Sequence, residues 1–254
     1  MLESAAMRTF RCLLALSALL LAFVPPARAD QEVDLLLVLA VDVSRSIDQP
    51  KFMLQRDGYG AAVSNRSVLE AISSGPHQKI ALNFLEWSGF GAQKLVIDWT
   101  VIDGANAARR FGDQIVEAPR SFADRTSISG GIEFASAQLE RSPFKAPRHI
   151  IDVSGDGTNN AGREVGAARD EAVAKGIIVN GLVILSDSQF LFNAEHTNPP
   201  GGLEKYYREN VIGGPGAFVM VAEDFNAFGK AIIKKLIAEI AAAPSSRRRT
   251  ASAK

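Results

Sequence analysis

The chain has 254 residues and a formal net charge of zero, from 28 basic and 28 acidic side chains, with one cysteine, Cys12. A balanced charge of this kind gives no footing for a nucleic-acid-binding surface. Because Cys12 lies ahead of the expected cleavage point, disulfides, thiolate metal sites and a cysteine nucleophile are excluded from the mature chain. Stability must then come from an apolar core, and roughly 210 residues suffice for one core and one domain.

Residues 1–29 read as a secretory signal peptide. A short basic start at 7–11 precedes the apolar run 13–24, and Ala27-Arg28-Ala29 forms an A-x-A-like cleavage site. The apolar run is too short to span a bilayer comfortably. Cleavage after Ala29 would make Asp30 the mature start, leave no transmembrane segment, and export the chain to the periplasm or beyond. Apolar and amphipathic stretches then alternate. Residues 33–41 are a buried strand and 49–68 a helix, with Phe52, Leu54, Ala61 and Val63 inward. Residues 79–87 and 94–101 are strands joined by so short a turn that they must pair antiparallel. Residues 105–116 and 127–141 are helices, the second with Ile128, Ile132, Phe134, Ala135 and Leu139 inward. Residues 147–153 are a strand, 163–175 a helix closed by Gly176, 177–185 a strand, and 186–201 a polar segment. A short helix over 203–210 and a strand over 217–222 precede a final helix. Asp224 is expected to cap that helix, which carries the stripe Phe225, Phe228, Ile232, Leu236 and Ile240. Domain 30–243 should therefore be an α/β fold: a doubly wound, mostly parallel sheet with one antiparallel edge hairpin and helices on both faces. Residues 244–254, with Arg247-Arg248-Arg249, read as a disordered basic tail.

The chemistry concentrates at strand ends. Val41-Asp42-Val43-Ser44-Arg45-Ser46 leaves the carboxyl end of the first strand, where open α/β sheets place ligands. Asp42, Ser44 and Ser46 offer one carboxylate and two hydroxyls, the oxygen donors that hard divalent cations prefer. Two more loops should reach the same edge. One carries Thr126 in Asp-Arg-Thr-Ser-Ile-Ser-Gly-Gly-Ile, and the other carries Asp156 in Asp-Val-Ser-Gly-Asp-Gly. Singly, each motif also reads as an Asx turn, a helix cap or a tight turn. Their joint placement points to an ion. Asp152, inside a strand, reads as a satisfied polar group, and Asp124 and Arg125 flank the Thr126 loop.

The set Asp42, Ser44, Ser46, Thr126 and Asp156, in this order, resembles the metal-ion-dependent adhesion site of the von Willebrand factor type A (VWA) family, over roughly 33–242. The segment 206–214 and the final helix resemble a bacterial exported branch of that family without assigned function. The resemblance implies a Mg²⁺ site, with Mn²⁺ fitting the same oxygens, and an open coordination position for a carboxylate on a protein or envelope partner. In some relatives the last helix shifts when the metal binds an acidic ligand. Asp187, Glu195 and His196, in the segment after a parallel strand, are candidates for the partner-facing wall. His77 and His149 read as structural or solvent-facing, and Trp87 and Trp99 as packing residues of the edge hairpin.

Two alternatives belong to other classes. A metal-dependent hydrolase or phosphatase could use Asp42 as nucleophile, but the second acid expected two residues on is Ser44, and no GxSxG elbow or phosphate loop is present. A degenerate site could serve structure alone. The preferred expectation is a non-catalytic module that docks an acidic group through a divalent cation.

Overall fold

A computed structural model describes residues 31–185 and 194–242. The expected signal segment 1–29, residues 186–193 with Asp187, and the basic tail 244–254 lie outside the described residues. All elements named below belong to the unit Glu32–Lys254. Six strands form one sheet in the order β3-β2-β1-β4-β5-β6. They are β1 (Leu36–Asp42), β2 (Ile80–Trp87), β3 (Gln93–Ile102), β4 (His149–Gly155), β5 (Ile178–Ile184) and β6 (Val219–Ala222). Neighbours pair in parallel except β2 and β3, whose short link leaves no room for a crossover.

Among the described residues the two faces are covered by α1 (Gln49–Val63), α2 (Arg66–Ser73), α3 (Ala105–Glu117), α4 (Ile128–Glu140), α5 (Val165–Ala174), α6 (Leu203–Tyr206) and α7 (Phe228–Ala241), and one further helical turn, Ala194–Thr197, precedes α6. Helix α6 runs on into a wider π-turn, Tyr207–Val211. Strand β1 divides its side chains between two cores. Leu37, Leu39 and Val41 pack with α1, α2, α3 and α7, whereas Leu36, Val38 and Ala40 pack with α4, α5 and the π-turn. Burial on both faces is why β1 reads as a continuous apolar run rather than an alternating one.

Three expectations need correction. The helix expected over 49–68 breaks at Ser64, and Asn65 restarts it as α2 by accepting from Ser67 N at 2.9 Å. The inward face of α1 is also rotated: Phe52 and Val63 are buried, but Leu54 is 39 % exposed and Ala61 is exposed. Leu54 lies about 200° around the helix from Phe52, and the face that Phe52 shares is completed by Arg56 and Tyr59. Arg56 is buried because its guanidinium pairs with Glu86 of β2 and donates to the Ile115 carbonyl at 2.8 Å. The last helix begins at Phe228, and Asp224 accepts from Ala227 N at 2.6 Å in the turn before it. Trp87 and Trp99 sit on the two strands of the edge hairpin, as expected, with Trp87 fully buried against Gly131 of α4.

Strand order reverses between β1 and β4. The crevice beyond their carboxyl ends is the switch point of the sheet, and it lies between Asp42, the last residue of β1, and Asp156, the first residue past β4.

Candidate metal centre

Asp42, Ser44, Ser46 and Asp156 form one contiguous chain of contacts. Asp42 Oδ1 accepts from Ser44 N at 2.7 Å, the Asx turn that these residue types favour. Ser44 Oγ is 3.2 Å from Ser46 Oγ, and Ser46 Oγ donates to Asp156 Oδ1 at 2.5 Å. Two carboxylates separated by more than a hundred residues are thereby joined through the Ser44 backbone N–H and two hydroxyls. All four residues are buried, Asp42 and Ser44 completely. The turn is braced from behind by Arg120, whose guanidinium donates to the carbonyls of Val43 at 2.6 Å and Ser44 at 2.8 Å.

Thr126 joins this chain indirectly. Its loop is tied to the first by Arg45 N donating to the Asp124 carbonyl at 2.8 Å, and to the residue just past β2 by Ser127 N donating to the Ser88 carbonyl at 2.7 Å. It is tied to the third loop by Asn160, whose Oδ1 accepts from Thr126 N at 2.9 Å and whose N–H donates to the Thr126 carbonyl. Thr126 Oγ1 meets His196 Nε2 at 3.2 Å. His196 is 9 % exposed and lies across the crest, and its carbonyl accepts from Thr158 N at 2.9 Å. Gly157 is required there, because a Cβ at that position would fall inside the imidazole ring. Glu195, next to it, is exposed.

The electrostatics follow from burial. Asp42 is pushed up to about 8, first by desolvation and then by the neighbouring charge of Asp156, against the pull of the Ser44 hydrogen bonds and Arg120. Asp156 is likewise raised by burial, although Ser46 and Lys51 draw it down. Burial lowers His196 below its ordinary range.

These residues fit a hard divalent cation. Asp42 Oδ2 and Asp156 Oδ2 are buried and have no hydrogen-bond partner among the described residues. A buried acceptor left in that condition is costly, and a dication would offset both burial and mutual repulsion. The remaining donors are neutral hydroxyls, a set that suits Mg²⁺ or Mn²⁺. Among the described residues no group of three or more His, Cys, Asp or Glu side chains gathers as a metal site.

Sequence reasoning missed Arg120, Asn160 and Tyr207. A Cβ on Gly155 would stand 2.5 Å from Tyr207 Oη and 2.9 Å from Asp42 Oδ2, so Gly155 lets the phenol approach the carboxylate. Tyr207 is fully buried and its phenol is held well above its usual range by burial and by Asp42. Its signal was only its place within the segment 206–214. Asp152 pairs instead with Lys235 of α7 at 2.7 Å.

A family model described as a protein of unknown function (DUF1194) matches residues 32–244. The chain belongs to the DUF1194 family. No curated protein matches this DUF1194 chain. Solved structures match its fold, that of the VWA domain. One is proximal thread matrix protein 1 from the mussel byssus, at 14 % identity and a TM-score of 0.56, over 84 % of this chain and 49 % of that one. The same protein was solved with a zinc-occupied MIDAS motif, at 15 % identity, a TM-score of 0.56 and the same coverage. Another is the pilus adhesin SpaC of Lactobacillus rhamnosus GG, at 12 % identity and a TM-score of 0.58, over 83 % of this chain and 32 % of that one. The chain thus spans about half of the mussel protein and a third of the adhesin. Among the described residues of the DUF1194 chain, no helix is long and apolar enough to cross a membrane.

Proposed function

We propose that this DUF1194 chain is an exported, non-catalytic binding module. It docks an acidic group of a protein or envelope partner through a divalent cation, Mg²⁺ or Mn²⁺, held by Asp42, Ser44, Ser46, Thr126 and Asp156. The single observation that carries this reading is the pair of buried carboxylates, Asp42 and Asp156, linked through Ser44 and Ser46, each keeping one oxygen without a hydrogen-bond partner among the described residues. Bound there, the ion would supply a Lewis-acidic position for a partner's carboxylate. The protein's part is to hold two negative charges and three neutral hydroxyls on three interlocked loops. The neutral donors leave the ion electron-poor and receptive to an acidic ligand. Glu195, exposed beside the crest, would face the partner. Export follows from the signal-like segment 1–29, with the periplasm as the destination.

Capture of envelope components by the immobilised mature chain, with Mg²⁺ against chelator, tests this reading. Mg²⁺-dependent capture that disappears in Asp156→Ala supports it. Capture indifferent to chelator contradicts it, as does Mg²⁺-dependent release of phosphate from simple monoesters.

A further inference from the structure

The imidazole of His196 meets three polar groups from two crest loops. Nε2 is 3.2 Å from Thr126 Oγ1, and Nδ1 is 3.2 Å from Thr158 Oγ1 and 3.3 Å from Asn160 Nδ2. These contacts fix the tautomer. Asn160 Oδ1 is already used by Thr126 N, so the group that Asn160 turns toward the ring is its N–H₂. An amide N–H₂ only donates, so Nδ1 must accept, and in a neutral ring the hydrogen then sits on Nε2. The Nε2–H donates to Thr126 Oγ1. That bond occupies one lone pair of the hydroxyl and fixes the side chain's direction. The other lone pair and the hydroxyl hydrogen remain for the crest.

We propose that His196 is a positioning residue of the cation site: its neutral Nε2–H tautomer locks the Thr126 hydroxyl and ties the Thr126 and Asp156 loops together before the ion arrives. This rests on the metal reading given above and extends it to a residue outside the five oxygen donors. His196 supplies no ligand atom to the ion. Its effect on the ion passes through Thr126, and Gly157 is glycine because the ring needs its space.

The test has two arms, both on the mature chain. Imidazole ¹⁵N shifts of the metal-free protein read the tautomer directly; a protonated Nε2 and an unprotonated Nδ1 are expected, and the reverse assignment overturns the proposal. Calorimetric titration with Mn²⁺ alone reads the consequence. His196→Ala is expected to weaken Mn²⁺ binding about tenfold, the size of one lost buried hydrogen bond. His196→Gln, whose amide can restore the donor at the same reach, should recover part of it. In a Thr126→Val background, His196→Ala should weaken binding no further. Unchanged affinity in His196→Ala overturns the proposal, and so does an equal loss with and without Thr126. If wild type binds Mn²⁺ and Asp42→Ala does not, that failure belongs to the His196 role alone. If wild type takes up no ion, the metal reading falls as well.

Discussion

Two places in the molecule bury a pair of carboxylates, and they are handled in opposite ways. Below the surface, Asp152 of β4 and Glu239 of α7 share a lysine: Lys235 Nζ is 2.7 Å from Asp152 Oδ1 and 2.5 Å from Glu239 Oε1, all three residues being essentially unexposed. Asn180 of β5 adds a hydrogen bond to Glu239 at 2.9 Å. Four residues further along β4 and just beyond it, Asp156 pairs with Asp42, but the bridging groups are the Ser44 backbone N–H and the neutral hydroxyls of Ser44 and Ser46. In the core the fold supplies its own cation and uses it to fasten the last helix to the sheet. At the crest it supplies oxygens and hydroxyls, and both acids stay raised despite the positive charge of Arg120 and Lys51, as Asp152 does, to about 7, despite its lysine. A buried carboxylate pair is thus a structural tie where a lysine reaches it, and a candidate ion site where only hydroxyls do.

The largest effect should come from breaking the core pair. Lys235→Met leaves two buried acids uncompensated and should cost about 3–5 kcal/mol in denaturant unfolding. A wild-type midpoint would mean that the lysine is not what separates the two regions. At the crest the expectation is inverted. Asp42→Asn keeps an acceptor for Ser44 N while removing a charge that the metal-free fold does not neutralise. The variant should therefore be at least as stable as wild type near pH 8 without metal, and should gain nothing from Mg²⁺. Wild type should gain about 2.7 kcal/mol when Mg²⁺ is a hundredfold above its Kd. Thermal unfolding of both proteins, with Mg²⁺ and with chelator, gives the comparison.

The pH dependence sharpens it further. Asp42 is raised to about 8 and Asp152 to about 7 in the folded state, whereas an unfolded aspartate titrates near about 3.9. Between these limits the folded chain holds protons that the unfolded chain has released, so metal-free stability should fall as pH rises from about 4 to about 8. Mg²⁺ must displace the proton held by Asp42, so its affinity should climb over the upper part of the same range. A metal-free unfolding midpoint that rises steadily from pH 5 to pH 8 would contradict both assignments. The smallest effect belongs to Ser46→Ala, which loses one hydrogen bond to Asp156 and should cost about 1 kcal/mol, read from the same unfolding curves.

Features set by local pattern were legible in the sequence. The apolar run of β1 ended in alternating Asp, Ser and Ser, and the link from β2 to β3 was too short for a crossover, so the sheet and its loaded edge could be foreseen. Features that depend on distant partners could not. Arg56 and Lys235 look like surface residues on amphipathic helices until Glu86 and Asp152 are seen opposite them. The face of α1 was misjudged for this reason: apolar spacing favoured Leu54, while the structure turns Arg56 and Tyr59 inward. His196 was visible only as a lone histidine in a polar segment, and no spacing rule joins it to Thr126, seventy residues earlier. Tyr207 and Asp42 both crowd Gly155, a relation with no linear signature.

A cation site at the crest requires carboxylates whose charge the fold does not itself neutralise. Calorimetric titration of Mg²⁺ into the mature chain at pH 7.5, beside Asp42→Asn, measures this directly. One ion per chain in wild type, with proton release on binding and no uptake by the variant, is the predicted result. Equal heats from both proteins, or none from either, would contradict it.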